Sequence, residues 1–298
     1  MVPASGFGFG FEAPQPASTT SASRPAAARL TAPRLSSAAV RFLRDPAAPL
    51  ALDDDLLIEG DNAGVLDLLP EGAFDMAYAD PPFNTGKHQR RGDHAYADAF
   101  ADYEAFLIPR LARVRDLLAD HGTLYVHLDW REHHYVKVAL DKVFGRDCFL
   151  NEIVWAYDFG GRPKRRWPAK HDTVLVYVKD RASYWFDDDE VDREPYMAPG
   201  LVGPEKAARG KRPSDTWWHT IVHTTGKEKT GYPTQKPLGI LRRMVAASSR
   251  PGGWCLDPFA GSGTLGAAAA ELGRRYVLID SNPEAIRVAS QRLSAGRS

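Results

Sequence analysis

Short apolar runs alternate with longer amphipathic stretches along the chain from Leu50 onward. A short apolar run bounded by polar turn residues predicts a β-strand, and apolar residues that recur every three or four positions predict a helix. The predicted strands are residues 56–58, 74–79, 123–128, 254–256 and 276–279. The predicted helices are residues 103–118, 132–144, 238–248, 264–272 and 283–293. Strands that alternate with helices in this way indicate an α/β fold with a mostly parallel sheet.

Two segments depart from this alternation. Residues 1–40 are rich in Ala, Pro and Ser, contain a single acidic residue, Glu12, and show no apolar periodicity, so we predict a disordered tail. Between residues 151 and 231, β-like pieces are separated by polar loops that contain Pro and Gly, which indicates an inserted region. The segments on either side, residues 50–150 and 232–298, would then form the two halves of one main domain.

A glycine-rich turn follows the predicted strand 254–256, in the order Asp257-Pro258-Phe259-Ala260-Gly261-Ser262-Gly263-Thr264. Glycine permits positive φ and has no Cβ to block a ligand, while the helix that follows presents free N–H groups. The next apolar strand ends in Asp280, and 280 − 257 gives 23 positions, the spacing at which a Rossmann-like sheet places an acid on ribose hydroxyls. This pattern indicates a site for an adenosine-type cofactor. The alternative is a tight strand-to-helix turn with Asp280 in solvent.

The predicted strand 74–79 ends in Asp80-Pro81-Pro82-Phe83. Two consecutive prolines remove two N–H donors and stiffen the backbone, so its carbonyl groups are available as acceptors. Asp80 and the Pro81 carbonyl can hold the two hydrogens of a planar exocyclic amino group, while Phe83 stacks on its ring. The alternative is a proline-rich strand end with Phe83 in the core.

These two motifs resemble those of a known family. Asp80-Pro81-Pro82-Phe83 resembles the catalytic motif of amino-group DNA methyltransferases, and residues 257–264 resemble their S-adenosylmethionine motif. Pro233-Thr234-Gln235-Lys236-Pro237 resembles the motif that precedes the cofactor motif in the β class. In that class the catalytic motif comes first, then a target-recognition region, then the cofactor motif, which is a circular permutation of the usual order. The chain has this order from about Leu56 to Leu293 and is identified as a member of the class.

The resemblance implies a Rossmann-like methyltransferase fold in which residues 50–150 form the catalytic half, 151–231 the target-recognition region and 232–298 the cofactor-binding half. Catalytic roles fall on Asp80, Pro81, Pro82 and Phe83. Contacts with S-adenosylmethionine fall on Asp61, Thr234, Lys236, Asp257, Phe259, Gly261, Gly263, Thr264 and Asp280.

Two of these assignments leave alternatives open. Thr234 and Lys236 lie just before a helix whose first turn begins at Pro237, so a hydroxyl, a cation and a helix N-terminus can converge on the cofactor's carboxylate. Lys236 is otherwise a solvated side chain. In this family the corner at Asp61 tends to lie near the adenine ring, and Asp61 can equally cap the helix that follows it.

The expected mechanism begins with extrusion of the target nucleotide, because an amine inside a duplex is out of reach of the enzyme. Phe83 replaces the lost stacking. Asp80 and the Pro81 carbonyl then draw the amino nitrogen toward sp³ geometry, which localises its lone pair for in-line attack on the methyl group. The proton leaves after transfer, so Asp80 principally orients the amine.

A basic segment lies within the inserted region. Residues 160–170 contain no acid, and the candidate DNA contacts there are Arg162, Lys164, Arg165, Arg166, Trp167 and Lys170. Cations of this density with an interleaved aromatic ring are typical of phosphate-contacting loops. A solvated loop is the alternative, because the acidic run 187–190 is close in sequence.

His127, Asp129, His133 and His134 also invite a metal-site hypothesis. His127 and Asp129 lie on a strand and at its end, whereas His133 and His134 are adjacent on a helix and point in different directions. We therefore expect no metal.

Composition narrows the remaining choices. The chain has 298 residues, of which 44% are hydrophobic, enough for one sizeable domain. Its 38 Lys and Arg balance 38 Asp and Glu, so any nucleic-acid surface must be local. No apolar run approaches the roughly 20 residues that span a bilayer, so we expect no membrane association. Two cysteines form no disulfide framework and suit a cytoplasmic location.

Together these features predict a site-specific methyltransferase acting on double-stranded DNA, with adenine N6 as the target because cytosine-N4 enzymes often carry Ser in place of Asp80. Cytosine N4 is the alternative, followed by an RNA or protein-amide methyltransferase or a DNA-binding protein without activity. A cognate restriction endonuclease and a homodimer are further possible partners.

Overall fold

A nine-stranded mixed sheet forms the centre of the computed structural model, which describes residues 40–91, 94–223, 226 and 228–295. These residues belong to one compact unit. The predicted disordered tail, residues 1–40, lies outside the described residues except for Val40, which begins a strand.

The strands are β1 (Val40–Arg44), β2 (Asp55–Glu59), β3 (Phe74–Ala79), β4 (Lys87–Arg91), β5 (His94–Asp98), β6 (Leu118–Leu128), β7 (Phe149–Ala156), β8 (His171–Val178), β9 (Thr216–Trp218), β10 (Trp254–Asp257) and β11 (Arg275–Asp280). The helices are α1 (Asn62–Leu66), α2 (Tyr103–Leu117), α3 (His133–Phe144), α4 (Pro204–Arg209), α5 (Leu238–Ser248), α6 (Thr264–Glu271) and α7 (Pro283–Ala295). All five predicted strands and all five predicted helices are confirmed, with β6 longer than expected.

The strand order in the sheet is β1-β2-β11-β10-β3-β6-β8-β7-β9, and β4 pairs only with β5 in a separate hairpin. Neighbours from β1 to β6 are parallel, and so are β7 and β9. β8 runs antiparallel to both of its neighbours. The prediction of a mostly parallel sheet is confirmed.

Five elements had no prediction, β1, β4, β5, α4 and β9, and α1 was expected only as the helix that Asp61 can cap. β1 illustrates the reason, because Val40–Arg44 mixes apolar and charged residues and is a strand only by pairing with β2. The β-like pieces expected in the inserted region are β7 and β8, which are strands of the main sheet. The first part of residues 151–231 is therefore built into the core.

Side chains that alternate along the strands fill two hydrophobic layers. Leu56 and Ile58 of β2 pack on one face with the buried residues of α1, α2 and α3, whereas Leu57 packs on the other face with α5, α6 and α7. Alternation with a period of two is what directs successive strand residues to opposite faces. The result is a sheet covered by helices on both sides. None of the described helices is long and apolar enough to cross a membrane.

The close approach of β6 to β3 leaves no room for a side chain at Gly122. A Cβ there would lie 2.8 Å from the carbonyl oxygen of Phe74 and 2.9 Å from that of Ala119. We expect Gly122→Ala to lower the free energy of unfolding by about 1–3 kcal/mol, as overpacking does elsewhere. Urea denaturation measures the change. The matched control is Gly64→Ala in α1, where the new Cβ meets no atom within 4 Å and added helix propensity should raise stability by about 0.5–1 kcal/mol. Equal stability of the wild type and Gly122→Ala would contradict this packing.

Candidate active site

Parallel pairing of β3 with β10 brings the two predicted motifs to the same edge of the sheet. Met76 is opposite Cys255 and Ala77 is opposite Leu256. Because both strands run in the same direction, Asp80 follows β3 beside Asp257, the last residue of β10. One cavity is lined by both motifs and contains Asp61, Asp80, Pro81, Pro82, Phe83, Thr234, Lys236, Asp257, Phe259, Gly261, Thr264 and Asp280. All but one of the predicted catalytic and cofactor residues therefore meet there, the exception being Gly263.

Gly263 lies outside the cavity lining, at the N-terminus of α6. It caps α6 in a left-handed conformation, φ +70°, and a Cβ on it would lie 2.9 Å from the Cβ of Ala289. Gly261 is also left-handed, φ +49°, and a Cβ on it would lie 3.4 Å from the ring of Tyr232 at the cavity wall. The predicted glycine turn is thus confirmed, with Gly263 serving helix packing and Gly261 facing the cavity.

Two buried carboxylates line this turn. Asp280 accepts the N–H of Gly261 at 2.8 Å and that of Asn282 at 2.8 Å. Asp257 accepts the N–H of Phe259 at 3.0 Å. Burial raises the pKa of Asp280, and burial together with the charges of Asp80 and Asp280 raises the pKa of Asp257 well above its usual value, although backbone hydrogen bonds oppose both shifts. Two acidic groups therefore lie beside the glycine turn, and burial disfavours the charged form of both.

The corner after β2 serves two purposes. Asp61 caps α1 by accepting the N–H of Ala63 at 3.1 Å, and it lines the cavity as well. Asn62, which sequence analysis did not select, donates to the Pro258 carbonyl at 2.7 Å and accepts from Arg110 at 2.6 Å. This amide joins the corner to the glycine turn. Its position directly after Asp61 was the available signal.

Lys236 lies on the catalytic motif. Its Nζ is 2.5 Å from Oδ2 of Asp80 and 5.0 Å from the centroid of the Phe83 ring. The N-terminus of α5 is occupied as well, since Leu238 donates its N–H to Glu228 at 2.5 Å. Two of the groups expected on the cofactor's carboxylate thus have partners within the chain, while Thr234 lines the cavity.

A hydrogen bond from α2 holds the Pro81-Pro82 segment in place. Tyr103 donates its hydroxyl to the Pro82 carbonyl at 2.7 Å, whereas no described residue donates to the Pro81 carbonyl. The Phe83 ring lies 5.9 Å from the ring of buried His127, between centroids. The available carbonyl expected at Pro81 is therefore present.

His127 belongs to a buried polar network. Its Nδ1 is 2.7 Å from the Tyr78 hydroxyl, and its Nε2 is 3.2 Å from Asp172, which also accepts from Tyr157 at 2.8 Å. Burial, followed by the charge of Asp80, raises the pKa of Tyr78 well above its usual value, so Tyr78 stays a neutral donor. These partners satisfy both ring nitrogens of the buried His127. Within the described part of the chain, no cluster of three or more His, Cys, Asp or Glu side chains is arranged to hold a metal ion.

The basic segment forms the loop between β7 and β8. Because β7 is parallel to β6 and β3, this loop leaves the sheet at the edge that carries Asp80. Trp167 is 94% exposed, and the Arg166 guanidinium lies 5.4 Å from the ring centroid of Trp130. Lys164 and Arg165 are exposed and contact no acidic side chain among the residues described. Two members of the set have partners, since Arg162 pairs with exposed Asp158 at 3.2 Å and Lys170 donates to a backbone carbonyl.

Other lining residues were not among the predicted catalytic or cofactor contacts: Asn62, Tyr78, Thr85, Asp98, Phe106, Pro258, Ala260, Ser262, Leu265, Tyr232, Ser281 and Asn282. Tyr232 adjoins the 233–237 motif, so proximity was a signal. Phe106, on α2, carried none, because a helix residue close to the cavity looks like any other apolar core position.

Comparison with known proteins identifies the family. A family model for DNA methylases that act on N6 or N4 matches residues 74–291. The chain is 31% identical over 246 residues to the DNA adenine methyltransferase YhdJ of Escherichia coli strain K12, covering 80% of this chain and 82% of the relative. It is 33% identical over 242 residues to the type II methyltransferase M.HpaI of Haemophilus parainfluenzae, covering 81% of this chain and 75% of the relative.

Solved structures share the fold. The M1.HpyAVI–SAM complex matches with a TM-score of 0.56 and 21% identity, over 86% of this chain and 99% of that chain. The cytosine-N4-specific PvuII DNA methyltransferase matches with a TM-score of 0.59 and 16% identity, over 79% of this chain and 84% of that chain. The predicted methyltransferase fold is confirmed. Since the family model spans most of the chain and these relatives exceed 30% identity, the chain belongs to the DNA methylase family.

Proposed function

We propose that this S-adenosylmethionine-dependent DNA methyltransferase acts on the N6 amino group of adenine in double-stranded DNA. The observation that carries the proposal is Asp80, whose carboxylate lines one cavity together with the glycine turn. Asp at this position favours adenine, and the relative YhdJ is named as a DNA adenine methyltransferase. A cytoplasmic location, a cognate restriction endonuclease and a homodimer stay predictions.

The cavity residues fit S-adenosylmethionine. When bound, this cofactor supplies a methyl group activated by a positively charged sulfur. Three carboxylates, Asp80, Asp257 and Asp280, line the cavity and suit a cation. Each Asp280 oxygen accepts one N–H, and a carboxylate has about four acceptor positions, so capacity for ribose hydroxyls remains. The absence of a Cβ at Gly261 leaves room at the wall that a ligand would contact.

The catalytic motif is built to hold an amine. Asp80 and the Pro81 carbonyl are acceptors at the end of a stiff backbone, and Tyr103 holds the adjacent Pro82 carbonyl in place. Phe83 offers a ring to the extruded base in exchange for its lost stacking partners. The acceptors draw on the amino hydrogens, which localises the nitrogen lone pair for attack. Preorganised acceptors of this kind need no rearrangement during the reaction.

The exposed loop between β7 and β8 supplies cations at the same edge of the sheet. Lys164, Arg165 and Arg166 are exposed, and in this proposal they contact phosphates next to the extruded nucleotide. Trp167, almost fully exposed, is available to stack or to wedge between bases.

We expect Asp80→Ala to reduce single-turnover methyl transfer by roughly 10² to 10³-fold, the loss typical of a preorganised electrostatic contact. Modified-base sequencing of DNA from a host that expresses the wild type should show N6-methyladenine in one sequence context, and DNA from the Asp80→Ala host should lack it. Cofactor affinity, measured on the same protein, should stay close to wild type, while the melting temperature should fall because the largely buried Lys236 loses its ion-pair partner. Methyl transfer at the wild-type rate would make Asp80 structural, and N4-methylcytosine in the wild-type host would replace adenine as the target.

Replacing Lys164, Arg165 and Arg166 by Ala should weaken DNA binding and reduce the slope of log K against log salt by up to roughly 0.9 per lost phosphate contact. Cofactor affinity should not change. The control is Lys142→Ala, which removes an exposed cation near the end of α3, at the opposite edge of the sheet. A salt slope equal to that of the control would place the loop outside the DNA interface.

Asp257→Asn should stabilise the protein without cofactor, because burial raises the pKa of Asp257 and disfavours its charged form. The folded state binds the proton more tightly than the unfolded state, so the destabilisation is complete at pH above the raised pKa. It fades as pH falls through that pKa toward the usual value of 3.8. The gain in unfolding free energy should therefore be larger at pH 8 than at pH 5, measured by urea denaturation of both proteins. A gain independent of pH would mean that charge is not its source.

A further inference from the structure

The ammonium group of Lys236 lies where the proposed mechanism requires the target amine. It donates to Oδ2 of Asp80 at 2.5 Å, lies 5.0 Å from the centroid of the Phe83 ring, and lines the same cavity. A target amino group must donate to Asp80 and belong to a base that stacks on Phe83. One lysine side chain therefore makes both kinds of contact.

The surroundings of Asp80 explain why a cation lies beside it. The side chain of Asp80 is 15% exposed and that of Lys236 is 11% exposed, so the pair is largely shielded from water. Oδ1 of Asp80 is buried and has no partner among the described residues, which leaves Lys236 as the group that compensates this carboxylate. A buried charge whose partner is removed is strongly destabilising.

The lysine can move without moving the fold. The backbone carbonyl of Lys236 accepts from the Thr264 hydroxyl at 3.3 Å, and the next residue, Pro237, caps the N-terminus of α5. The backbone of Lys236 is therefore fixed by the glycine turn and by α5. The ammonium group is carried on a flexible four-carbon stem. Displacement therefore involves rotation of one side chain.

We propose that Lys236 is a stand-in for the target amine and thereby a specificity-determining residue. Before a base is extruded, the ammonium group occupies the place of the amine, and the entering base displaces it; this inference rests on the proposed function. A base with an exocyclic amine restores the hydrogen bond that Asp80 loses. A base without an amine at that position leaves Asp80 unpartnered and is disfavoured, because an unsatisfied buried acceptor is costly.

The test uses 2-aminopurine in place of the target adenine, within the sequence context found by modified-base sequencing. This fluorescent base lacks the amine at position 6, so in the wild type it should enter the site poorly. Lys236→Met removes the ammonium group and keeps the length of the side chain. It should raise the extrusion equilibrium constant by about tenfold, because the entering base no longer has to displace a charge-assisted hydrogen bond. Lys236→Arg keeps the positive charge and the hydrogen-bond donors, so extrusion of 2-aminopurine should stay poor in this variant. Lys142→Met, at an exposed position of α3, controls for loss of a lysine.

Asp80→Asn provides a second route to the same result. It keeps the shape of the side chain but cannot form the ion pair, so extrusion of 2-aminopurine should increase although methyl transfer falls. Unchanged extrusion in both Lys236→Met and Asp80→Asn would overturn the stand-in role, as would a Lys236→Met protein that loses methyl transfer at saturating DNA with no gain in extrusion. A wild type that methylates no adenine would instead contradict the proposed function itself.

Discussion

The parallel pairing of β3 with β10 is the constraint on which the active site depends. Two motifs that are far apart along the chain become neighbours because their strands share hydrogen bonds in register. Since parallel strands end at the same edge, Asp80 and Asp257 emerge side by side, and the loop that follows each strand lines one cavity. Lys236, 156 positions after Asp80 in sequence, reaches it from the segment before α5.

The site brings acidic side chains together in a place where burial disfavours their charged forms. Asp257 and Asp280 are held in place by backbone N–H groups, yet burial raises the pKa of both carboxyl groups. A protein selected for stability alone would avoid such a cluster. The proposed binding of a cationic cofactor with ribose hydroxyls would account for the cluster, and the ion pair of Lys236 with Asp80 limits the repulsion among the carboxylates.

The reversal of direction at β8 links the catalytic site to the candidate DNA surface. Because β8 is antiparallel to both β6 and β7, the connection between β7 and β8 emerges at the edge where β3 and β6 end. The inserted region therefore contributes three strands that extend the sheet, β7, β8 and β9, and a basic loop that leaves the sheet between β7 and β8. His127, which forms a polar network with Tyr78 and Asp172, contacts Phe83, with 5.9 Å between the two ring centroids.

Local patterns in the sequence were sufficient for five strands and five helices of the main domain, for the left-handed glycine turn at Gly261 and Gly263, and for the two motifs that identify the family. Each of these depends on neighbours within a few positions, where periodicity and backbone preference act. The partner of Lys236, the amide bridge of Asn62, the support of Pro82 by Tyr103 and the pairing of β1 were not predictable in this way. Their energies come from groups that only strand order and direction bring within hydrogen-bonding distance. A lysine before a helix has the same local signature whether it faces solvent, a cofactor or Asp80, and the fold selects among these by placing a buried carboxylate 2.5 Å from its ammonium group.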